Sequence, residues 1–149
     1  MDKALLIGII LPKVFDGDVR NHLDELKMLA QTANVETLGK ITQKVQKINP
    51  AFYIGKGKAQ QVIDQAKLLG ANVIIFDDEL SPAQVKNYHK LAKKINAVLF
   101  STPFSLKSVD FLEKFKVPIY KIASLEITDL NLIRYVASKR KPIILSTGL

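Results

Sequence analysis

Six short apolar runs recur along this chain, and each is separated from the next by a stretch with apolar residues at helical spacing. That alternation confines the fold to parallel strands joined by right-handed crossovers. The first run, residues 4–11, is apolar almost throughout, as expected of a strand buried on both faces. A helix is predicted over 18–33, with Val19, His22, Leu23, Leu26, Leu29, Ala30 and Ala33 on one stripe. His22 on that stripe reads as a partly buried core histidine. Residues 35–42 alternate and predict a second strand, and 44–50 a polar connection.

Further along, Gly55-Lys56-Gly57-Lys58 reads as a turn into a helix ending at Leu69, with Gly70 as its C-cap. Residues 73–77 predict the third strand. Ser81-Pro82-Ala83-Gln84 then opens a helix: the serine hydroxyl accepts from a free N–H, Gln84 reaches back, and Pro82 has no N–H to leave unpaired. Val85, Tyr88, Leu91, Ala92 and Ile95 form its apolar stripe. Strands are predicted over 97–102, 118–124 and 142–147. The helices between them are capped by Ser105 and Thr128.

The fold class is therefore α/β, an open parallel sheet of about six strands in the flavodoxin-like order 2-1-3-4-5-6, the alternative being a partial (βα)8 barrel. No linker rich in glycine, proline or serine divides the 149 residues, which predicts a single domain. The order reverses beside the first strand. A bound anion is thus expected near Leu11, Asp77 and Thr102, although Asp77 and Asp78 would repel phosphate. Crossovers after the third strand put their helices on one face. Runs 98–100, 119–122 and 143–145 are then expected to bare an apolar surface on the other, which predicts a homodimer through that face or the sixth-strand edge.

Composition narrows function mainly by exclusion. There is no cysteine, hence no thiolate metal site or cysteine nucleophile. No run approaches the ~18 apolar residues of a membrane span, and no signal-peptide pattern opens the chain, so a soluble cytoplasmic protein without a membrane partner is expected. The 22 Lys and Arg against 14 Asp and Glu give a net charge of +8. That charge allows a nucleic-acid partner but does not favour one, because the lysines are scattered with few aromatics among them. Two adjacent aspartates are a weak metal signal, and neither a metal site nor a cofactor is expected.

Two resemblances meet within residues 77–102. Leu23-Asp24-Glu25-Leu26 with Leu29-Ala30, the block Pro50 to Lys58, and the block Phe76 to Gln84 with Asn87 carry the first. On these residues, about 1–90 resembles the N-terminal domain of HflX-type ribosome-associated GTPases. The family's phosphate loop, GxxxxGK[ST], is absent. Phe100 to Phe104, Ser108 to Leu112, Tyr120 to Ser124 with Ile127-Thr128, and Lys141 to Gly148 carry the second. On these, about 96–149 resembles the barrel of sialic acid synthases, the NeuB family, which condenses phosphoenolpyruvate with an N-acetylated amino sugar using a divalent metal.

The second resemblance implies that Thr102, Lys121, Ser124 and Ser146 stand at phosphoenolpyruvate-holding positions. It supplies no metal-binding histidine, since His22 and His89 are this chain's two histidines and both fall on the other side. Together the resemblances imply an engineered chimera: a scaffold that recombines a barrel fragment with another α/β fold and has no designed catalytic activity. The alternatives are a weak phosphate or phosphoenolpyruvate binding module, or an RNA- or ribosome-binding module built on the first half.

Overall fold

The computed structural model describes residues 1–147. Four parallel strands form the main sheet: β1 (Asp2–Ile10), β2 (Val35–Lys44), β3 (Val73–Phe76) and β4 (Val98–Phe100), in the order β2-β1-β3-β4. β1 is central, with Leu5 opposite Ile74 and Ile7 opposite Phe76, and its residues 4–10 are buried, as their apolar character requires. The chain crosses over through α1 (Asp16–Thr32), α2 (Lys56–Leu69), α3 (Pro82–Lys93), α4 (Leu106–Glu113) and α5 (Leu130–Ala137). No helix is long and apolar enough to cross a membrane among the described residues.

Gly8 sets how closely α1 lies on the sheet. A Cβ there would stand 2.7 Å from Val19 Cγ1 and 3.0 Å from Leu23 Cδ1, so the bare backbone lets the helix settle onto β1. Val19, Leu23, Leu26 and Ala30 are the residues it buries. Its first turn carries Asp16 and Asp18, where negative charge is favourable. Gly70 ends α2 in the left-handed conformation at φ 76°, and its N–H reaches back into the last turn, as expected. The capping box of α3 is complete. The Gln84 N–H donates to Ser81 Oγ at 3.2 Å, and the Ser81 N–H donates to Gln84 Oε1 at 2.8 Å. Ser105 caps α4 as expected. The cap of α5 is Asp129 rather than Thr128: the Asp129 carboxylate accepts from the Leu132 N–H at 3.0 Å, a stronger bond than a threonine hydroxyl offers.

The six-stranded ladder divides after β4. β5 (Tyr120–Ile122) and β6 (Ile143–Leu145) form a separate parallel pair, with Tyr120 opposite Ile143 and Ile122 opposite Leu145. Each of these strands, like β4, is three residues long. Pro103 lies beyond the end of β4 and Pro118 before the start of β5, so these short strands are bounded by residues with no N–H to extend a ladder.

The pair turns toward α1 instead, and Ser146 Oγ lies 3.5 Å from Glu25 Oε1. Side chains alternate across β5. Tyr120 points to α4, where its hydroxyl donates to Glu113, and Lys121 points the other way. This turn also covers the surface expected to be bare. Leu99, Phe100, Ile119, Ile122 and Ile144 are all 2% exposed or less, and Leu145 alone among residues 143–145 is exposed.

Candidate functional site

The polarity of α1 prepares one wall of a cleft. Asp18, Asn21, His22 and Glu25 recur at spacings of three and four, so they share one side of the helix. β5 and β6 face that side, and between them lies a cavity of about 500 Å³. It opens at the C-terminal ends of the strands, where open α/β sheets hold ligands. Leu26, Leu29 and Ala123 give it an apolar lining, and Lys121, Ser124, Ser146 and Asp77 a polar one.

At the floor, Lys121 Nζ donates to Asp77 Oδ1 at 2.5 Å. The two side chains are 10% and 16% exposed, so this pair is largely shielded from solvent. It is the direct polar tie between the end of β3 and β5, across the gap in the ladder. Burial and the neighbouring Asp77 push the Asp78 carboxyl up from 3.8 to about 6, against the opposing pull of the Ile9 backbone N–H, Lys121 and His22. Glu79 is pushed to about 7 by burial and by Glu126.

Three of the four expected phosphate-holding residues, Lys121, Ser124 and Ser146, line this one cleft. Thr102 does not. It is 4% exposed and lines a separate cavity of about 40 Å³ with Glu79, Ser101 and Ser108, and its Oγ1 has no hydrogen-bond partner among the described residues. The gap between β4 and β5 accounts for this displacement. Of the expected crevice near Leu11, Asp77 and Thr102, only Asp77 lines the cleft.

His22 is exposed on the cleft side of α1, not half-buried in the core. A histidine at the margin of a helical stripe meets solvent when the adjacent turn packs through Leu23 and Leu26. Asp18, Asn21, His22 and Glu25 are the polar cleft residues that sequence reasoning did not assign to a site. The signal that could have found them is their polar spacing on a helix otherwise apolar toward the sheet. His89 lies elsewhere, stacked on Phe115 with ring centroids 4.4 Å apart. Among the described residues no group of three or more His, Asp or Glu could hold a metal ion, so the divalent metal implied by the synthase resemblance finds no ligand set here.

The blocks that carry the HflX resemblance meet one another. Asn49 Oδ1 accepts from the N–H groups of Ala51 and Phe52, shaping a turn before α2. From α3, Gln84 Nε2 donates to the Asn49 carbonyl at 2.8 Å, Asn87 Nδ2 to the Ala51 carbonyl at 2.9 Å and Tyr88 Oη to the Phe52 carbonyl at 2.7 Å. Three side chains of one helix thus satisfy three carbonyls of one loop.

The fold and cleft define an open α/β protein with a polar crevice at its C-terminal strand ends. The family model described as "NeuB family" matches residues 40–149, and the chain belongs to that family. It is 31% identical over 142 residues to a pseudaminic acid synthase of Helicobacter pylori, covering 93% of this chain and 42% of that protein. An N,N'-diacetyllegionaminic acid synthase of Campylobacter jejuni is 50% identical over 58 residues, 39% of this chain and 17% of the other. A GTPase HflX of Flavobacterium psychrophilum is 33% identical over 90 residues, 60% of this chain and 22% of the other.

The chain thus unites HflX-like and NeuB-like parts, and it spans less than half the length of each of these relatives. The NeuB match begins at residue 40, in β2, well before residues 77–102. Coverages of 60% and 93% also exceed one chain length together, so the two likenesses share residues instead of meeting at a point.

Proposed function

We propose that this chain is an engineered chimeric α/β scaffold without designed catalytic activity, in which Lys121 holds structure together and does not process a substrate. The observation that carries this reading is the Lys121–Asp77 pair at 2.5 Å. Lys121 stands at a position that the synthase resemblance links to phosphoenolpyruvate, yet its ammonium is already bound by a carboxylate at the end of β3. A phosphate group entering the cleft would meet Asp77, Glu25 and Asp18 as well as Lys121. At short range in a partly buried site, like charges of this number outweigh a single ammonium.

The recombined character is supported by the two families to which parts of the chain are similar. The HflX-like blocks also favour a scaffold over an RNA-binding surface, because Gln84, Asn87 and Tyr88 spend their hydrogen bonds on residues 49–52. The test is incubation with phosphoenolpyruvate, an N-acetylated amino sugar and a divalent metal, while free phosphate is monitored. No release above the buffer rate is expected, and catalysed release would overturn the proposal.

A second reading, weak phosphate or phosphoenolpyruvate binding, is favoured by one observation: Lys121, Ser124 and Ser146 line the same cleft. Amide shifts at these residues on titration with millimolar phosphoenolpyruvate would establish it. Their absence would leave the first reading standing.

A further inference from the structure

We infer that the cleft between α1 and the β5–β6 pair is a binding site for a small zwitterion of the amino-carboxylate type. Its two walls come from different parts of the chain, and their charges differ in kind. Lys121 supplies the anion-binding side. Its side chain is nine-tenths buried and faces the cavity, and its ammonium carries three N–H donors. Asp77 Oδ1 is its one hydrogen-bond acceptor among the described residues, which leaves two of the three N–H donors of a cleft-lining ammonium without a partner there. Buried polar hydrogens of this kind are ordinarily matched, and a charged donor left short of acceptors is costly. A ligand carboxylate matches them, with the Ser124 hydroxyl on the same side as a further donor.

The opposite wall suits an ammonium. Glu25 is half-buried on α1, and its Oε1 accepts a marginal hydrogen bond of 3.5 Å from Ser146 Oγ. Its carboxylate keeps acceptor sites for an incoming N–H beside that one bond. Asp18 lies one helical stretch closer to the N-terminus on the same side. Leu26, Leu29 and Ala123 line the cavity with hydrocarbon and suit a short carbon chain joining the two charged ends.

Charge then selects among ligands. Asp18, Glu25 and Asp77 give three formal negative charges against one positive on Lys121. A phosphate ester adds to the excess, and a simple amine leaves the donors of Lys121 unmatched. A zwitterion adds no net charge and addresses both walls. The cavity of about 500 Å³ admits a molecule of this size with water.

This inference rests on the proposed role of Lys121 in one respect, that Asp77 holds it in place. The experiment is titration of the ¹⁵N-labelled chain with L-alanine and 5-aminopentanoate, with pentanoate, pentylamine and phosphoenolpyruvate as single-charge and anionic controls. The expected result is saturable amide shifts at Asn21–Glu25 and Lys121–Ser124 with at least one zwitterion, and none with the controls at equal concentration. Glu25→Gln should weaken the zwitterion about tenfold, the loss of one hydrogen bond to a charged group. Ser105→Ala, at the cap of α4 and outside the cleft lining, should leave both the fold and the binding.

Equal shifts with pentanoate, indifference to Glu25→Gln, or no saturation with any zwitterion would overturn the inference. Phosphoenolpyruvate binding at Lys121 would overturn it and establish phosphate binding instead. Silence from every probe would overturn it alone.

Discussion

β1 and β2 run for nine and ten residues, whereas β5 and β6 run for three each. The long strands lie inside a four-stranded ladder, where β1 is paired on both sides and its side chains are enclosed. The short pair has one ladder of its own and is held to the rest by side chains: Lys121 on Asp77, β6 against α1, and the packed face of α5 with Leu132 and Val136. Backbone pairing organises the first region, and side-chain contact attaches the second. Damage to the core should therefore be felt globally in the first region and more locally in the second.

The largest expected effect separates these regions directly. Ile7 in β1 is fully buried between two neighbouring strands, and Ile7→Ala should cost about 4 kcal/mol of unfolding free energy in urea, toward the upper end for such truncations. Ile144 in β6 is 2% exposed but belongs to a two-stranded sheet that can close around a lost group. Ile144→Ala should cost about 2 kcal/mol. Equal losses would mean that the β5–β6 pair is as rigidly embedded as the main sheet.

Next in size is the tie between the regions. Asp77→Asn leaves the Lys121 ammonium buried without its counter-ion and should cost about 3 kcal/mol. Replacing both partners, Asp77→Leu with Lys121→Met, removes the charge and the need for it together, and should recover most of that loss. A double variant no better than Asp77→Asn would show that the apolar pair cannot fill the same space. Hydrogen exchange gives the spatial readout: Asp77→Asn should speed exchange in 120–122 and 143–145 more than in β1.

Most of this division was legible only in part from the sequence. The alternation of apolar runs and helices, the capping box at Ser81 and the left-handed stop at Gly70 are local, and each is met in the structure. The order 2-1-3-4 follows from the same pattern. The gap after β4 does not, because three-residue strands flanked by prolines carry little pairing information, and their position is set by what α1 leaves uncovered. The site divides the same way. Lys121, Ser124 and Ser146 came from the synthase resemblance and do line one cleft, whereas Thr102 depended on β4 and β5 being neighbours. Glu25 and His22 belong to a wall that exists only once β6 has turned toward α1.

Acidity at the strand ends provides a smaller test. Asp78 is raised from 3.8 to about 6, so the folded state favours its protonated form. Its contribution to stability is then fully present below about pH 3.8 and is lost as pH rises through about 6. Asp78→Asn should raise the urea midpoint at pH 8 and make little difference at pH 4. A midpoint lowered at pH 8 would show that the carboxylate is stabilised there by its contacts with Ile9, Lys121 and His22.

The smallest effects lie at the helix entries, where the two regions again differ. Ser105 makes a single cap for α4: its hydroxyl accepts from the Ser108 N–H at 3.1 Å, with Ser108 Oγ 2.9 Å away. Ser81 belongs to a reciprocal box, and the glutamine completing that box also donates to the Asn49 carbonyl. Gln84 is 5% exposed, and its N–H loses its side-chain acceptor when the Ser81 hydroxyl is removed. Both serines are exposed, but loss of the Ser81 hydroxyl also loosens a buried glutamine that is bonded to the Asn49 carbonyl. Ser81→Ala should therefore cost about 1.5 kcal/mol and Ser105→Ala about 0.5 kcal/mol, bracketing the usual range for lost serine caps. The loop around Asn49 gives an independent signal, because Ser81→Ala should shift the amides of 49–52 through Gln84, while Ser105→Ala should leave them unmoved. Equal costs, with no shift at 49–52, would show that Gln84 holds the loop without help from the cap, and that the two helix entries are anchored alike.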